Sequence, residues 1–289
     1  MDSVLKYWGL CGRDAAQIPS ALESPKSAVW DVGDEYVLKY NPNTDELSHS
    51  IKLAGLLSAH AIPIAAYKKT TDGLWTSPDG AYCLMKKLKG VHIDFFIQTN
   101  VMKNLGKELA KLHIALADIE PHTKCHDNDF VAEWKNYIKP GLANTGDEIV
   151  DFIETRFFEL YKKLPRQLIH RDVHANNILF WDGEVSGWLD FDISQRNVRI
   201  FDLAYLLGGL ICGKTNDPAM VEIWQTLYRD LLTGYNSISP LSGVETEALP
   251  FMMIAIQLLF VAFWNGQGNA EQGYDAAKLA QWLYSEYAV

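Results

Sequence analysis

The sequence predicts an α+β fold with two unequal lobes, in which a small antiparallel β-sheet and one helix precede a larger, mainly helical lobe. Strand-like segments separated by turn residues occupy the first 90 residues, and apolar residues at helical spacing dominate after Gly90. A short strand-rich island at 168–192 interrupts the helices. We therefore expect an N-terminal lobe over 1–88 and a C-terminal lobe over 89–289 that contains a short β-hairpin.

The N-terminal strands are predicted from turn residues and from the alternation of polar and apolar side chains. Segments 27–32 and 35–40 flank Gly33-Asp34, a pair suited to a two-residue type II′ hairpin turn. Two further strands are expected at 62–68 and 81–86. Between these two pairs of strands, the segment 45–60 predicts a helix, because its apolar residues recur at helical spacing at Leu47, Ile51, Ala54 and Leu57.

The helices of the second lobe are predicted from regular apolar stripes. Residues 101–116 and 147–164 each carry apolar side chains at i, i+3 and i+4, and Asp217-Pro218 is a typical start of a later helix. The most apolar stretch, 251–264, has 14 residues, whereas a membrane span needs about 20. We expect this stretch to be a buried core helix.

Composition and charge exclude several classes of protein. Of the 289 residues 48% are hydrophobic and 21% are charged, which is typical of a globular protein and not of a disordered one. A net charge of −10 disfavours nucleic-acid binding. The four cysteines lack metal-ligand spacing, and the first ten residues lack the features of a signal peptide. We expect a cytoplasmic monomer or homodimer with no nucleic-acid and no membrane partner.

The island at 168–192 contains the residues most suited to chemistry. Asp182-Gly183 predicts a type I′ hairpin in which paired residues sum to 365, so that Asn177 would face Trp188 and Ala175 would face Asp190. Asn177 and Asp190 would then be diagonal neighbours at roughly 7–8 Å. Their oxygen atoms suit a hard divalent cation. Asp172 lies in the loop that enters the hairpin, where its carboxylate would approach a hydroxyl beside that cation.

The spacing of these residues resembles a known family. The segments that carry the resemblance are His170-Arg171-Asp172-Val173-His174-Ala175-Asn176-Asn177, Asp190-Phe191-Asp192 and Asp202-Leu203-Ala204. They resemble the aminoglycoside phosphotransferase / choline kinase family, whose members are small-molecule kinases with a protein-kinase-like fold, homoserine-kinase-like and spore-coat kinase-like members included. The resemblance is dense over 168–204, moderate over 24–116 and weak after 210.

The resemblance implies a reaction and a set of roles for the second lobe. The chain would transfer the γ-phosphate of ATP to a hydroxyl of a small molecule, such as an aminoglycoside, an amino alcohol or homoserine, cationic acceptors included. Asp172 would be the catalytic base, and Asn177 and Asp190 would bind Mg²⁺ on the ATP phosphates. Three further residues would support the loop or the metal, namely His170, Asp192 and Asp202.

The resemblance also assigns nucleotide-binding residues to the first lobe. Lys39 matches the strand lysine that contacts the α- and β-phosphates of ATP in kinases. Residues 84–90 resemble the interlobe hinge of the family. Met85, Lys86 and Leu88 would therefore contact the nucleotide, and the backbone groups of Lys86 and Leu88 would form hydrogen bonds with adenine. Ser24 and Ser27 lie in a loop that resembles the phosphate-side loop of the family. Glu46 is the candidate partner of Lys39, with His49 as the alternative.

Three other functions remain open at this point. His170-Arg171-Asp172 is also the catalytic-loop sequence of protein Ser/Thr kinases, but no G-x-G-x-x-G lies near the first strands and the gap from Asp190 to Asp202 is too short for a peptide-binding activation segment. A metallohydrolase would use His170, Asp172 and His174, but no second ligand cluster completes the site. A catalytically silent kinase-like binding protein is disfavoured because the kinase residues are all present.

The acceptor is not determined by the sequence. Five aromatic residues after position 130 could form a cage for a quaternary ammonium group, although aromatic residues at helical spacing are more often core residues. They are Trp134, Trp224, Tyr228, Trp264 and Trp282.

Overall fold

The computed structural model describes residues 1–19, 27–142 and 146–288, and it divides into two compact units. The first unit contains Met1–Val91 and Ile178–Ile193. The second contains His92–Asn177 and Ser194–Val289. The expected division at residue 88 therefore differs from the structure in one respect. The hairpin region 178–193, which was expected in the C-terminal lobe, belongs to the first unit.

The first unit is built on a five-stranded antiparallel sheet with the strand order β1-β2-β3-β5-β4. Its strands are β1 (Ala15–Ile18), β2 (Ala28–Val32), β3 (Tyr36–Tyr40), β4 (Tyr67–Lys68) and β5 (Tyr82–Lys86). The unit also contains the short helix α1 (Asp2–Leu5), the longer helix α2 (Thr44–Ser58) and 3₁₀ turns at Lys6–Trp8 and Gly33–Glu35.

The two faces of this sheet have different surroundings because side chains alternate along β3. Leu38 and Leu84 pair across β3 and β5 and pack in a core cluster with Leu5 and Trp8. Lys39 is the next residue, so it points to the opposite face, where it pairs with Cys83. On that face the buried side of α2 covers Cys83 through Leu47 and Ile51. The sheet thus places a lysine beneath α2.

The hairpin of β7 (Ile178–Trp181) and β8 (Glu184–Trp188) joins the first unit through two isolated bridges, Ile64 with Trp188 and Val91 with Phe180. Asp182 and Gly183 both have positive φ, as the predicted type I′ turn requires. The predicted register is wrong, however. A bulge between Leu179 and Phe180 shifts the pairing, so that Trp188 faces Ile178 and not Asn177.

Beyond the bulge, the predicted pair of Ala175 and Asp190 is absent as well. Residues Ala175–Asn177 form a 3₁₀ turn and are not part of the strand. The last pair of the ladder is Ile178 with Trp188, so the ladder ends before Asn177.

The second unit is mainly helical. Its long helices are α3 (Met102–Ile119), α8 (Ile200–Ile211), α9 (Pro218–Asn236), α10 (Gly243–Gly266) and α11 (Ala270–Tyr287). Its shorter helices are α4 (Phe130–Glu133), α5 (Lys139–Gly141), α6 (Asp147–Phe152) and α7 (Phe158–Tyr161), with π-helical turns at Trp134–Ile138 and Ile153–Phe157 and 3₁₀ turns at Thr99–Val101 and Glu120–His122. A two-stranded antiparallel sheet joins β6 (Arg166–Ile169) to β9 (Gln195–Val198).

Helices α3 and α9 cross at a pair of glycines. A Cβ atom at Gly106 would overlap the carbonyl oxygen of Leu231, and a Cβ atom at Gly234 would overlap the carbonyl oxygen of Lys103. Each glycine therefore accommodates the backbone of the other helix. This close approach fixes α3, which carries His113 toward the centre of the unit.

Helix α10 contains the apolar stretch that the sequence predicts as a core helix, and the structure confirms this prediction. By length and composition the helix could cross a membrane, but 67% of its most apolar window is buried inside the fold. It begins with a capping box in which Ser242 and Glu245 exchange side-chain and backbone hydrogen bonds.

Several predicted elements differ from those observed. The connection at Gly33-Asp34 has three residues, because Val32 pairs with Tyr36. The strand expected at 62–68 is reduced to Tyr67–Lys68. The strands β1 and β9 lie outside every predicted segment, since each has only four residues and neither shows a clear alternation of polar and apolar side chains.

Candidate active site

The first group of candidate residues lies in the first unit, around Lys39. The Nζ atom of Lys39 lies 2.8 Å from Asp190 Oδ1 and 2.7 Å from Asp192 Oδ2. Burial alone would lower the pKa of Lys39, but the two carboxylates outweigh it and raise the pKa, so the lysine is charged. Asp192 is buried, whereas the side chain of Asp190 is 42% exposed. Asp190 thus keeps part of its carboxylate open to a ligand.

The expected pair of Lys39 and Glu46 needs a correction. The Glu46 carboxylate accepts a hydrogen bond from Asn41 Nδ2 at 3.2 Å, and the same amide donates to Asp192 Oδ2 at 2.8 Å. Lys39 itself pairs with the two aspartates that follow β8. Glu46 lies in the first turn of α2, too early along the helix to face Lys39 directly, so Asn41 links it to the aspartates.

The predicted hinge follows β5. Met85 is half-buried, and the exposed Lys86 donates its N–H to Ala66 O at 2.8 Å. Leu88 is half-buried, and within the part of the chain that the structure describes its N–H makes no hydrogen bond. A Cβ atom at Gly187 would lie 2.6 Å from Leu88 Cδ1, so the hinge packs closely on the β7–β8 hairpin.

The structure describes only one of the two serines of the predicted phosphate-side loop. Ser24 lies outside the described residues. Ser27 is half-buried in a bend directly before β2.

The second group lies in the second unit, in the loop after β6. Asp202 of α8 is fully buried and holds this loop by its backbone. Its carboxylate accepts hydrogen bonds from the His170 N–H at 2.9 Å and the Arg171 N–H at 2.8 Å. Asp202 also contacts His113 Nε2 at 3.0 Å, and the other ring nitrogen of His113 contacts the Tyr235 hydroxyl at 2.7 Å. These contacts support the structural role that the family resemblance implies for Asp202 and His170.

Asp172 follows this loop segment, and its carboxylate has donors on both oxygen atoms. Tyr205 OH donates to Oδ1 at 2.8 Å, and Asn177 Nδ2 donates to Oδ2 at 2.9 Å. His174 Nε2 lies 3.5 Å from Oδ2. Burial opposes ionisation, but hydrogen bonds and charge from His174, with smaller contributions from His170 and Tyr205, lower the pKa of Asp172 to about 2. The group is therefore a carboxylate at neutral pH.

The side chain of Asn177 is suited to a divalent cation. Its Nδ2 atom donates to both the carbonyl and the carboxylate oxygen of Asp172, each at 2.9 Å, which leaves the amide oxygen as the available ligand atom. In the first unit, the exposed part of the Asp190 carboxylate has the same chemistry. Oxygen ligands of this kind fit Mg²⁺, so the residues present are compatible with the expected metal.

Four residues of these two groups were not identified from the sequence as parts of them, namely Asn41, Glu133, Tyr205 and Tyr235. Tyr205 follows Asp202 at helical spacing i+3, which is the signal that could have placed it on the same face of α8. Asn41 follows Lys39 at strand spacing i+2. Glu133 and Tyr235 lie 38 and 122 residues from their partners, Arg171 and His113, and no local pattern could have found them.

The aromatic residues considered for a cage belong largely to the core. Trp134 and Trp224 are fully buried, and Trp224 packs against Tyr228 and Trp282 with ring centroids 5.6 Å apart in each pair. The Trp224 indole N–H donates to Leu207 O at 2.9 Å. The core interpretation therefore holds for this cluster.

The segment after Asp192 separates two classes of kinase. Only residues 193–194 intervene before β9, and α8 begins at Ile200. These residues leave no length for a peptide-binding activation segment. The fold and the loop chemistry therefore define a small-molecule phosphotransferase with a protein-kinase-like architecture.

Comparison with known proteins identifies the family. Residues 14–242 match the model of the phosphotransferase enzyme family (APH), and the chain belongs to this family. Homoserine kinase of Rhodospirillum rubrum is 28% identical over 229 residues, which cover 76% of this chain and 68% of that protein. For other homoserine kinases the chain spans about half of their length. The predicted reaction class, phosphate transfer to a small-molecule hydroxyl, is confirmed.

Solved structures share the fold. The structure of the amicoumacin kinase hAmiN in complex with AMP-PNP, Ca²⁺ and Ami has a TM-score of 0.74 at 16% identity and covers 94% of this chain and 88% of that chain. A choline/ethanolamine kinase family protein from Mesorhizobium loti has a TM-score of 0.72 at 13% identity and covers 99% and 94% of the two chains. The expected bilobal kinase-like fold class is confirmed.

Proposed function

We propose that this chain transfers the γ-phosphate of ATP to a hydroxyl group of a small amino-bearing molecule, with Asp172 as the residue that orients the acceptor hydroxyl. One observation carries the proposal. The Asp172 carboxylate is ionised and oriented by hydrogen bonds on both oxygen atoms, at the end of a loop that Asp202 holds by its backbone.

The nucleotide would be bound by the first unit. Lys39 would contact the α- and β-phosphates, and the backbone groups of Lys86 and Leu88 would pair with adenine. The Leu88 N–H, which makes no hydrogen bond within the described residues, supports this assignment. Met85, Ser24 and Ser27 remain candidate nucleotide contacts, and Glu46 would act through Asn41 on Asp192.

The metal would be bound by Asn177 and Asp190. When bound, Mg²⁺ supplies positive charge that neutralises the phosphate oxygens during transfer. Asn177 supplies an amide oxygen whose orientation is fixed by the two hydrogen bonds from its Nδ2 atom to Asp172. Lys39 pairs with one oxygen of Asp190 at 2.8 Å, and the exposed part of the same carboxylate would be available to the cation.

Asp172 would act mainly by orientation. A carboxylate with a pKa of about 2 is a weak base and cannot remove the proton of a free hydroxyl before transfer begins. It would accept a hydrogen bond from the acceptor hydroxyl and receive its proton as the new P–O bond forms, while the bond between the γ-phosphorus and ADP breaks and ADP leaves. Orientation and late proton transfer are together worth about 10²- to 10⁴-fold in rate.

The relatives suggest the class of acceptor. One relative is named a homoserine kinase, and one structural neighbour belongs to the choline/ethanolamine kinase family. Homoserine, choline and ethanolamine share a primary hydroxyl a few bonds from a cationic nitrogen. We therefore include amino alcohols first among the acceptors, followed by aminoglycosides. The cytoplasmic location, the monomeric or dimeric state and the absence of nucleic-acid and membrane partners stay predictions.

An ATP-consumption assay with Mg²⁺ tests the proposal across homoserine, choline, ethanolamine, an aminoglycoside and a generic protein substrate. We expect turnover with at least one small acceptor, a loss of at least about a hundredfold in Asp172→Asn, and nearly unchanged ATP affinity. Asp182→Asn is the matched control. Asp182 is an exposed residue in the hairpin turn, and asparagine can adopt the positive φ at that position.

Two results would contradict the proposal. Turnover of Asp172→Asn at the wild-type rate would remove the assigned role of Asp172. Failure of the wild-type protein both to consume ATP and to gain thermal stability with Mg–ATP would favour a silent kinase-like binding protein.

A further inference from the structure

We infer that Tyr205 is a positioning residue that fixes the orientation of the Asp172 carboxylate through its hydroxyl group. The inference rests on the proposed role of Asp172. It concerns a residue outside the motifs that the family resemblance covers, which end at Ala204.

The backbone contacts of the loop do not by themselves orient the carboxylate. Asp202 fixes the main chain at His170 and Arg171. The terminal torsion of an aspartate is broad, however, so the plane of its carboxylate is set by its hydrogen-bond partners. Tyr205 provides the contact to Oδ1, and Asn177 provides the contact to Oδ2. Because the two donors hold opposite oxygens, removal of the Tyr205 hydroxyl would leave the carboxylate held at Oδ2 only, by Asn177 and the nearby His174.

Tyr205 is itself held rigidly. Its ring stacks on Phe201 with a centroid distance of 6.1 Å and an interplanar angle of 17°, and it packs against Phe260 at 5.3 Å. His174 contacts the same ring edge-to-face at 6.0 Å. A donor on a packed aromatic ring defines the position of its acceptor better than a donor on a flexible chain does.

Helix α8 therefore controls three consecutive loop residues from one face. Asp202 binds the backbone of His170 and Arg171, and Tyr205, one turn later, binds the side chain of Asp172. The spacing i, i+3 places both residues on the same side of the helix.

The hydroxyl group, and not the ring, accounts for a tyrosine at this position. A phenylalanine would fill the same space against Phe201 and Phe260, since the two rings have the same shape. Burial and the Asp172 carboxylate raise the pKa of Tyr205 well above its ordinary value, so the hydroxyl keeps its proton and stays a donor.

The variant Tyr205→Phe tests the inference, with Tyr228→Phe as the control. Tyr228 is a half-buried tyrosine of α9 that packs on Trp224 of the same helix, and it has no part in the candidate site. We expect kcat to fall between about tenfold and a hundredfold in Tyr205→Phe, as for loss of one hydrogen bond to a charged group, while KM for ATP changes less than about twofold. We also expect a larger share of the ATP to be hydrolysed, because a misoriented Asp172 no longer favours the acceptor hydroxyl over water.

Crystal structures of the wild type and of both variants provide a second readout that does not depend on turnover. We expect one Asp172 carboxylate orientation in the wild type and in Tyr228→Phe, and a rotated or divided one in Tyr205→Phe. An unchanged orientation in Tyr205→Phe, or an unchanged kcat with the same ratio of transfer to hydrolysis, would overturn the inference. A wild-type protein without phosphotransfer would instead refute the proposed function, and the carboxylate orientation would still decide whether Tyr205 positions Asp172.

Discussion

Arg171 donates from Nη2 to both carboxylate oxygens of Glu133, at 2.7 and 2.8 Å. The arginine is buried, its guanidinium lies over the Phe201 ring at 3.9 Å, and its φ of +75° is in the left-handed region. The ion pair and the ring contact explain how an arginine is accommodated at a position with this backbone conformation.

Replacement of Glu133 by glutamine tests this pair. The change leaves the Arg171 charge buried without its counter-ion, so we expect the free energy of unfolding to fall by about 3 kcal/mol. Denaturant unfolding of Glu133→Gln and of the exposed control Glu247→Gln measures the difference. A paired change, Arg171→Met with Glu133→Leu, should recover much of the loss because it removes both charges. Equal stability of Glu133→Gln and the control would contradict this prediction.

Replacement of Lys39 by methionine should affect both catalysis and stability. Asp192 would keep its burial but lose its cation, and the ATP phosphates would lose a positive charge. We expect kcat to fall at least about a hundredfold and the melting temperature to fall. Lys52→Met, an exposed lysine of α2, is the matched control. The added change Asp192→Asn should restore part of the stability and none of the activity; recovery of activity would argue against a role for Lys39 in phosphate binding.

The sequence predicted the parts of this architecture that depend on local patterns. The Asp182-Gly183 turn needs only a residue pair that tolerates positive φ, and the helix at 101–116 needs only a regular apolar stripe. The register of the hairpin was wrong because β8 has one extra residue between the partners of Leu179 and Phe180, and no local pattern marks this bulge. The assignment of 178–193 to the C-terminal lobe failed for the same reason, since the bridges to Ile64 and Val91 are not local.

The candidate site shows the same division. Asp172, Asn177 and Asp190 were proposed from their spacing and Lys39 from the family resemblance, but the partners of these residues were not predicted. Lys39 pairs with aspartates 151 and 153 residues away along the chain, whereas the sequence suggested the nearby Glu46. The partner of a buried lysine on a sheet is the carboxylate that the tertiary fold brings close to it. For Lys39 that carboxylate depends on where the β7–β8 hairpin packs.

The pair of Arg199 and Glu245 predicts a dependence of stability on pH. Burial favours a neutral Glu245, but hydrogen bonds from Arg199 and Ser242 outweigh it and lower the pKa of Glu245 below 4.5. The stabilisation is therefore fully present above about pH 4.5 and is lost as the pH falls through the lowered pKa of the folded state.

Urea unfolding between pH 7 and pH 3.5 measures this dependence. Glu245→Gln should be less stable than the wild type at pH 7, and its stability should fall less between pH 5 and pH 3.5. The exposed neighbour Glu247 provides the control variant Glu247→Gln. If the free energy of unfolding falls equally with pH in the wild type and in Glu245→Gln, this carboxyl group does not contribute to the loss of stability in acid.

The crossing of α3 and α9 predicts that replacement of glycine by alanine lowers the stability of the protein at two glycines and raises it at a third. Gly106→Ala and Gly234→Ala would each push a methyl group into a backbone carbonyl, so we expect each to destabilise the protein by about 1–3 kcal/mol or more. Gly209, in α8, has no atom within 4 Å of its added Cβ, and Gly209→Ala should stabilise by about 0.5–1 kcal/mol. Thermal unfolding of the three variants decides this, and a stabilised Gly106→Ala would contradict the close approach of the helices.

Asp202 accepts hydrogen bonds from the backbone N–H groups of His170 and Arg171. Every residue except proline offers the same N–H group, so these two positions can change their side chains without losing the aspartate that holds them. An evolving protein, or an engineer, can therefore vary the side chain at position 171 while the backbone there keeps its contact with Asp202. The arginine at 171, with its distant glutamate, is one outcome of that freedom.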